Sequence, residues 1–192
     1  MFVTMNGELT VCDAVEQDAA AIASIFAHYV LESTATFETE PPCLEESRRR
    51  ITATLEAGYP FLVVREGDEG RAGAQGGRVL GFGYAHRYGP RAGYRFSVET
   101  TIYVAPDSLG RGIGGRLLGA LLDQCEARGF RQAFAVIAES EPASVVLHAR
   151  AGFLPVGTLT AAGWKHGKWL DVFVMQRALG EGNQSLPEAV IP

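Results

Sequence analysis

The segment that most limits how this chain can fold is Gly110-Arg111-Gly112-Ile113-Gly114-Gly115, near the middle of the sequence. Before it lies a strand-like run, Arg95 to Val104, and a short loop, Ala105 to Leu109. After it, Ile113, Leu117, Leu121 and Cys125 repeat at helical spacing up to Arg128, and Gly129 ends the repeat. The apolar period therefore changes from two to nearly four across the glycines, as a strand that feeds a helix requires. Glycines turn without a Cβ penalty and let a ligand approach the backbone. Unpaired N–H groups at a helix start, aligned with the helix dipole, attract phosphate. The turn thus reads as a cradle for a pyrophosphate with Arg111 at its rim, or else as an ordinary tight loop.

Around this turn the periodicity predicts strands at Leu9–Val11, Phe61–Val64, Val79–Tyr88, Arg95–Val104, Gln132–Ala138, Phe153–Val156 and Trp169–Gln176. Helices are expected at Asp18–Glu32, Leu44–Ala57, Gly112–Arg128 and Pro142–Ala151. The first carries Ile22, Ile25, Phe26, Tyr29 and Val30 as one stripe, and the second Leu44, Ser47, Ile51 and Leu55. Glu66 to Gly77 reads as an exposed hairpin loop. The order β-α-α-β-β-β-α-β-α-β-β describes an α/β (α+β) fold with a mixed central sheet of about seven strands and about four flanking helices. Its one central β-α-β crossover would be right-handed. Residues 1–179 form one domain in this reading, and 180–192 a disordered tail.

The 192 residues suit a single domain, and 47% hydrophobic content suffices for a sizeable core. A net charge of −5 argues against general nucleic-acid binding. No apolar run is long enough for a membrane helix, and Met1 to Met5 does not open a secretory signal. Cys12, Cys43 and Cys125 form no close-spaced pair, so a reduced, cytoplasmic protein is expected. His28, His86, His148 and His166 fall in no metal-ligand spacing, and no metal is expected.

Gly110, Gly112 and Gly115 also satisfy G-x-G-x-x-G, with Glu139 about 20 residues on, which is a dinucleotide-binding pattern. In that fold, however, the first glycine follows the strand almost at once, and parallel β-α-β units repeat. Here Ala105 to Leu109 intervene and only one such unit is visible.

Thr101-Ile102-Tyr103-Val104-Ala105-Pro106 followed by Gly110-Arg111-Gly112-Ile113-Gly114 resembles the acetyl-CoA motif of the GNAT acetyltransferase superfamily. The strand order matches that fold from residue 8 to 177. Thr34 to Pro41, Tyr94 to Glu99, Ala135 to Ile137, Leu147-His148, Ala151 to Phe153 and Gly163 to Asp171 resemble its phosphinothricin and methionine sulfone/sulfoximine acetyltransferase branch. Three positions depart from the pattern. Leu109 stands where the motif has Gln or Arg, Glu141 where an Asn precedes the fourth helix, and Gly89 where many branch members carry Arg.

The resemblance implies acetyl-CoA-dependent acetylation of a small amino-acid-like amine. Such an amine is mostly protonated at neutral pH, so a general base is needed. The resemblance assigns this role to Glu99, which alternation puts on the face of Thr101 and Tyr103; a structural ion pair with Arg95 or a lysine is the alternative. The cofactor would be held by Ile102, Tyr103, Val104, Leu109, Gly110, Arg111, Gly112, Ile113, Gly114 and Gly115, and beside the fourth helix by Glu141, Ser144 and His148. A bulge near Val104 would splay the fourth strand and expose amides that polarise the thioester. His148 would protonate the departing thiolate or merely contact the cofactor. Phe37, Arg91, Arg95, Glu99 and Lys165 would bind the acceptor, Phe37 being equally readable as a core wedge. The loop of Trp164, Lys165 and His166 would reach a neighbouring subunit, implying a homodimer, while Trp169 and Leu170 suit either a dimer or a sheet core. An acetyltransferase of proteins or peptides, and a non-catalytic CoA sensor, are the rival readings.

Overall fold

The computed structural model describes residues 8–67, 77–139 and 141–187. Seven strands form one sheet: β1 (Leu9–Asp13), β2 (Phe61–Glu66), β3 (Arg78–Arg87), β4 (Ser97–Val104), β5 (Gln132–Ala138), β6 (Leu154–Lys165) and β7 (Lys168–Ala178). Four α-helices flank it: α1 (Ala19–Glu32), α2 (Leu44–Glu56), α3 (Ile113–Ala127) and α4 (Pro142–Arg150). The spatial order is β1-β2-β3-β4-β5-β7-β6, and every neighbouring pair is antiparallel except β4 and β5. A parallel pair cannot be joined by a hairpin, so α3 makes the crossover between them.

The sheet separates two apolar clusters. On one face α3 buries Ile113, Leu117, Leu118, Leu121, Leu122 and Cys125 against Leu62, Leu80, Val98 and Ala135. Burying six such side chains is worth on the order of 10 kcal/mol, enough to fix the glycine turn at one place on the sheet. On the other face Ile22, Ile25, Phe26 and Val30 of α1 meet Phe61, Phe82 and Tyr103. The stripe read on α2 is only half realised: Ser47 and Ile51 are buried, whereas Leu44 and Leu55 are exposed.

β6 is three times longer than the four residues expected from the sequence. It is an edge strand exposed on both faces along most of its length, so no alternating pattern marked it. It returns to β7 through a two-residue turn, His166-Gly167, with φ values of 50° and 73°. Trp164 and Lys165 therefore belong to a strand and not to a loop. Residues 68–76 of the expected hairpin loop and 188–192 of the expected tail lie outside the described residues. In the described part of that tail, Ser185 and Leu186 accept hydrogen bonds from Arg131.

Candidate active site

β4 and β5 are paired at three positions, Ser97↔Gln132, Val98↔Ala133 and Glu99↔Phe134, and then part. A cleft of about 1070 Å³ opens between them. The strand edge it exposes can be worked out from the ladder on the other side. Ala105 N–H donates to the Leu80 carbonyl and Tyr88 N–H to the Ser97 carbonyl, so the odd-numbered groups of β4 face β3. Alternation turns the even-numbered amides toward β5; that of Thr100 is used in the last β4–β5 pair, and those of Ile102 and Val104 face the cleft. The β3–β4 ladder runs from Gly81↔Val104 to Arg87↔Val98 without a shift in register. The splay is thus made by divergence of two straight strands and not by the expected bulge. One carbonyl on that edge is already satisfied, since the Tyr29 hydroxyl donates to Val104 O at 2.6 Å.

The glycine turn forms the far end of the cleft. Gly110 and Gly112 have φ of 76° and 75°, a left-handed conformation that other residues rarely adopt. Gly112 caps α3 and no side chain bonds to the helix start. The amides of Ile113, Gly114 and Gly115, all lining the cleft, precede the first intrahelical donor, Arg116 N–H. They lie where an anion can reach them, with the positive end of the α3 dipole behind. Leu109 lines the lip and is 61% exposed, contributing no polar group. Arg111 does not line the cleft, because its guanidinium is paired with the Glu66 carboxylate on β2. That pairing holds the carboxyl of Glu66 below the usual range.

The wall from α4 carries Glu141, Ser144 and His148. Glu141 accepts a bond from Ser33 Oγ at 3.0 Å, linking α4 to the end of α1. His148 is 4% exposed, and its Nδ1 lies 2.8 Å from the Ser144 carbonyl. A carbonyl only accepts, so Nδ1 carries the proton and Nε2 presents a bare lone pair. That atom is buried without a partner among the described residues. Desolvation lowers the pKa of the ring and keeps it neutral. As built, His148 presents a hydrogen-bond acceptor to the cleft, which favours a cofactor contact over an acid among its two expected roles.

Glu99 stands at the last paired position before the strands part and faces the cleft. Burial raises its pKa, and His86 opposes that shift. His86 is its cross-strand partner on β3, with Nε2 3.9 Å from Glu99 Oε1. Tyr84, Tyr103, Phe37 and Glu38 complete this end of the cleft. Glu38 is held by a forked pair with Arg50 of α2, at 2.8 and 3.1 Å. Sequence reasoning passed over His86, Tyr29, Tyr84 and Glu38. The register of β3 against β4 is what reveals His86, and no motif marks it.

Three expected acceptor residues are placed elsewhere. Arg91 and Arg95 lie in the turn beyond β3 and do not line the cleft. Arg95 stacks its guanidinium 4.6 Å from the Phe96 ring centroid. Lys165 is 3% exposed, and its ammonium donates to the carbonyls of Tyr29 and Thr36 at 3.1 and 2.7 Å. It ties the hairpin to the end of α1 and to the loop that bears Phe37.

The profile of the Acetyltransferase (GNAT) family matches residues 24–153. The chain belongs to the GNAT acetyltransferase family. The phosphinothricin N-acetyltransferase of Alcaligenes faecalis is 41% identical over 174 residues, covering 90% of this chain and 84% of that protein. The L-methionine sulfoximine/L-methionine sulfone acetyltransferase of Pseudomonas paraeruginosa is 34% identical over 164 residues, covering 85% and 91%. The crystal structure of a phosphinothricin acetyltransferase from Sinorhizobium meliloti, in complex with AcCoA, superposes with a TM-score of 0.87 at 42% identity, covering 96% of each chain. The mixed seven-stranded sheet with four helices is accordingly the GNAT fold, and the dinucleotide reading of the glycine turn falls. Among the described residues no cluster of His, Cys, Asp and Glu could hold a metal, and no helix is long and apolar enough to cross a membrane.

Proposed function

We propose that this GNAT enzyme acetylates the primary amine of a small amino-acid-like compound, such as phosphinothricin or methionine sulfoximine or sulfone, with acetyl-CoA as donor and Glu99 as general base. The observation that carries the reading is the place of Glu99. It stands at the apex of the β4–β5 splay, in the same cleft as the β4 amides that β5 leaves unpaired and the start of α3, to which no side chain bonds.

The residues present fit the donor. The turn at Gly112 to Gly115, whose one side chain, Ile113, is buried in the core, offers amides to a pyrophosphate, and the open edge of β4 offers amides to an extended arm as an added strand would. Bound acetyl-CoA supplies an activated thioester. The chain's own residues do the rest. Glu99, ionised, takes a proton from the acceptor ammonium and frees the nitrogen lone pair. The Val104 amide, preorganised on a strand and needing no reorientation, would donate to the carbonyl oxygen of an acyl group held in the cleft and so favour attack by the nitrogen. His148 Nε2 accepts a hydrogen bond near the departing sulfur, whose thiolate can take its proton from water. Phe37 and Tyr84 exclude water from the acceptor end.

A homodimer fits the surface. Leu154, Val156, Leu159, Trp164 and Trp169, all on the β6–β7 hairpin, are more than half exposed. Such an apolar patch on a soluble protein calls for a partner, here a second copy. The test of the function is thiol release from acetyl-CoA with phosphinothricin, methionine sulfone, methionine sulfoximine, the common amino acids and short peptides. Release with the small amines and none with peptides is expected; release with peptides alone would shift the reading to a protein acetyltransferase. No release with any amine would leave a CoA-binding sensor.

A further inference from the structure

A base that takes a proton in every turnover must also lose it, and Glu99 is three-quarters buried. Its neighbour His86 is placed to receive that proton. The two are cross-strand partners on the same face of β3 and β4, and both line the cleft. His86 Nδ1 lies 3.1 Å from the carbonyl of Arg87, which can only accept, so the neutral ring carries its proton there. Nε2 is left as the lone pair, and it is the nitrogen that faces Glu99 Oε1 at 3.9 Å. A small rotation or one bridging water closes that gap. Unlike Glu99, the His86 side chain is 42% exposed. It also borders the neighbouring apolar pocket beneath α2, so it connects the site with the outside by a route separate from the cofactor cleft.

We propose that His86 is the proton exit of the active site, receiving from Glu99 the proton that Glu99 has taken from the acceptor ammonium. The proposal rests on Glu99 being the base. The steps balance. An N–H bond of the ammonium breaks as an O–H bond forms on Glu99. That O–H bond breaks as an N–H bond forms at His86 Nε2, giving an imidazolium. The imidazolium releases the proton to water, and both side chains return to their starting state. Burial raises the Glu99 pKa, and a cation on His86 in turn favours ionised Glu99. The other ionisable groups that share a cavity wall with His86 at this end are Tyr84 on its own strand, Tyr103 on β4, Tyr59, Arg49 and Arg50 on the α2 side, and Glu38 from the loop. Arg49 and Arg50 are paired with Glu46, and Arg50 also with Glu38, which leaves Glu99 as the carboxylate His86 answers to.

The experiment compares His86→Gln and His86→Asn with the parent enzyme in acetyl transfer from pH 5.5 to 9, with and without added imidazole. Each variant is expected to lose about tenfold or more in kcat, as expected of a lost proton-transfer step. The acidic limb of the kcat profile should move to higher pH, because ionised Glu99 has lost its cation. Added imidazole should restore rate, while the KM for acetyl-CoA and the melting temperature stay at parent values. A rate and profile like the parent's would overturn the exit role, and so would a loss that imidazole does not relieve and that leaves the limb in place. Glu99→Gln run in parallel separates the two readings. Full activity of that variant removes the base itself, whereas an inactive Glu99→Gln beside an unaffected His86→Gln removes only the exit.

Discussion

Gly163→Ala tests whether the β6–β7 hairpin shapes the acceptor end of the cleft. A Cβ built on Gly163 stands 2.1 Å from Cε1 and Cζ of Phe37. Carbon atoms rest at about 3.5–4.0 Å, so the ring must retreat by roughly 1.5 Å. The ring is 39% exposed and has room to move outward, but the loop behind it does not follow freely. Thr36 is held through its carbonyl by Lys165, and its hydroxyl accepts from Glu38 N–H. Overpacking of this kind costs about 1–3 kcal/mol. Because Phe37 lines the cleft, the displacement appears as a misplaced acceptor, and misplacement by about 1 Å can cost on the order of a hundredfold in rate. The expected result is a fall in kcat/KM for the acceptor of about 10- to 100-fold. The KM for acetyl-CoA should not change, since β4 and α3 are untouched. A double-mutant cycle with Phe37→Ala isolates the cause: with the ring gone the three atoms nearest the added methyl are removed, so the double variant should be no worse than Phe37→Ala alone. Parent-like acceptor kinetics in Gly163→Ala, or additive losses in the cycle, would refute the reasoning.

Glu99→Gln should lower kcat by about 10²–10⁴-fold; in the parent the base works ionised, burial raises its pKa, and activity should therefore fail on acidification at a higher pH than an ordinary carboxylate would give. Gly112→Ala meets no neighbour but must hold φ of 75°, costing about 1–2 kcal/mol, and should raise the KM for acetyl-CoA while leaving that for the acceptor unchanged. Asp18→Ala takes from the Arg65 guanidinium the buried carboxylate that pairs with it at 2.5 Å and leaves it only the Cys12 side chain, and should lower Tm in calorimetry by roughly 10 °C, equivalent to about 3–5 kcal/mol.

The parts of the fold that could be read in the sequence are those in which one face is buried. The α1 stripe and the α3 stripe packed as their spacing required, and the strands other than β6 fell within a few residues of their expected limits. β6 was misjudged because both of its faces meet solvent in the monomer, so it carries no alternation. The site divides along the same line. The glycine turn is a local backbone device and is visible in six residues. Lys165 was misassigned because a buried ammonium satisfied by two backbone carbonyls has the same sequence as one reaching for an anion. The partnership of His86 with Glu99 depends on the register of two strands separated by a turn, and register is set by the whole ladder and not by either residue.

The position of the cleft follows from the one parallel pair in the sheet. β4 remains fully laddered to β3, and β5 to β7, so each strand is held by its outer neighbour and can afford to leave the other. An antiparallel pair joined by a hairpin would be tethered at one end by its own turn. β4 and β5 are instead joined through α3, which lies over one face and whose first turn sits beyond the C-terminal end of β4. The divergence therefore sets two kinds of unpaired amide on the same opening, strand edge on one side and helix start on the other. Unpaired backbone groups inside a protein are destabilising unless something bonds to them. Both kinds here lack backbone partners yet line an open channel, and a ligand with an anionic end and an extended, amide-bearing arm answers both at once. At the closed end of that opening, where the last β4–β5 pair holds, the chain places Glu99.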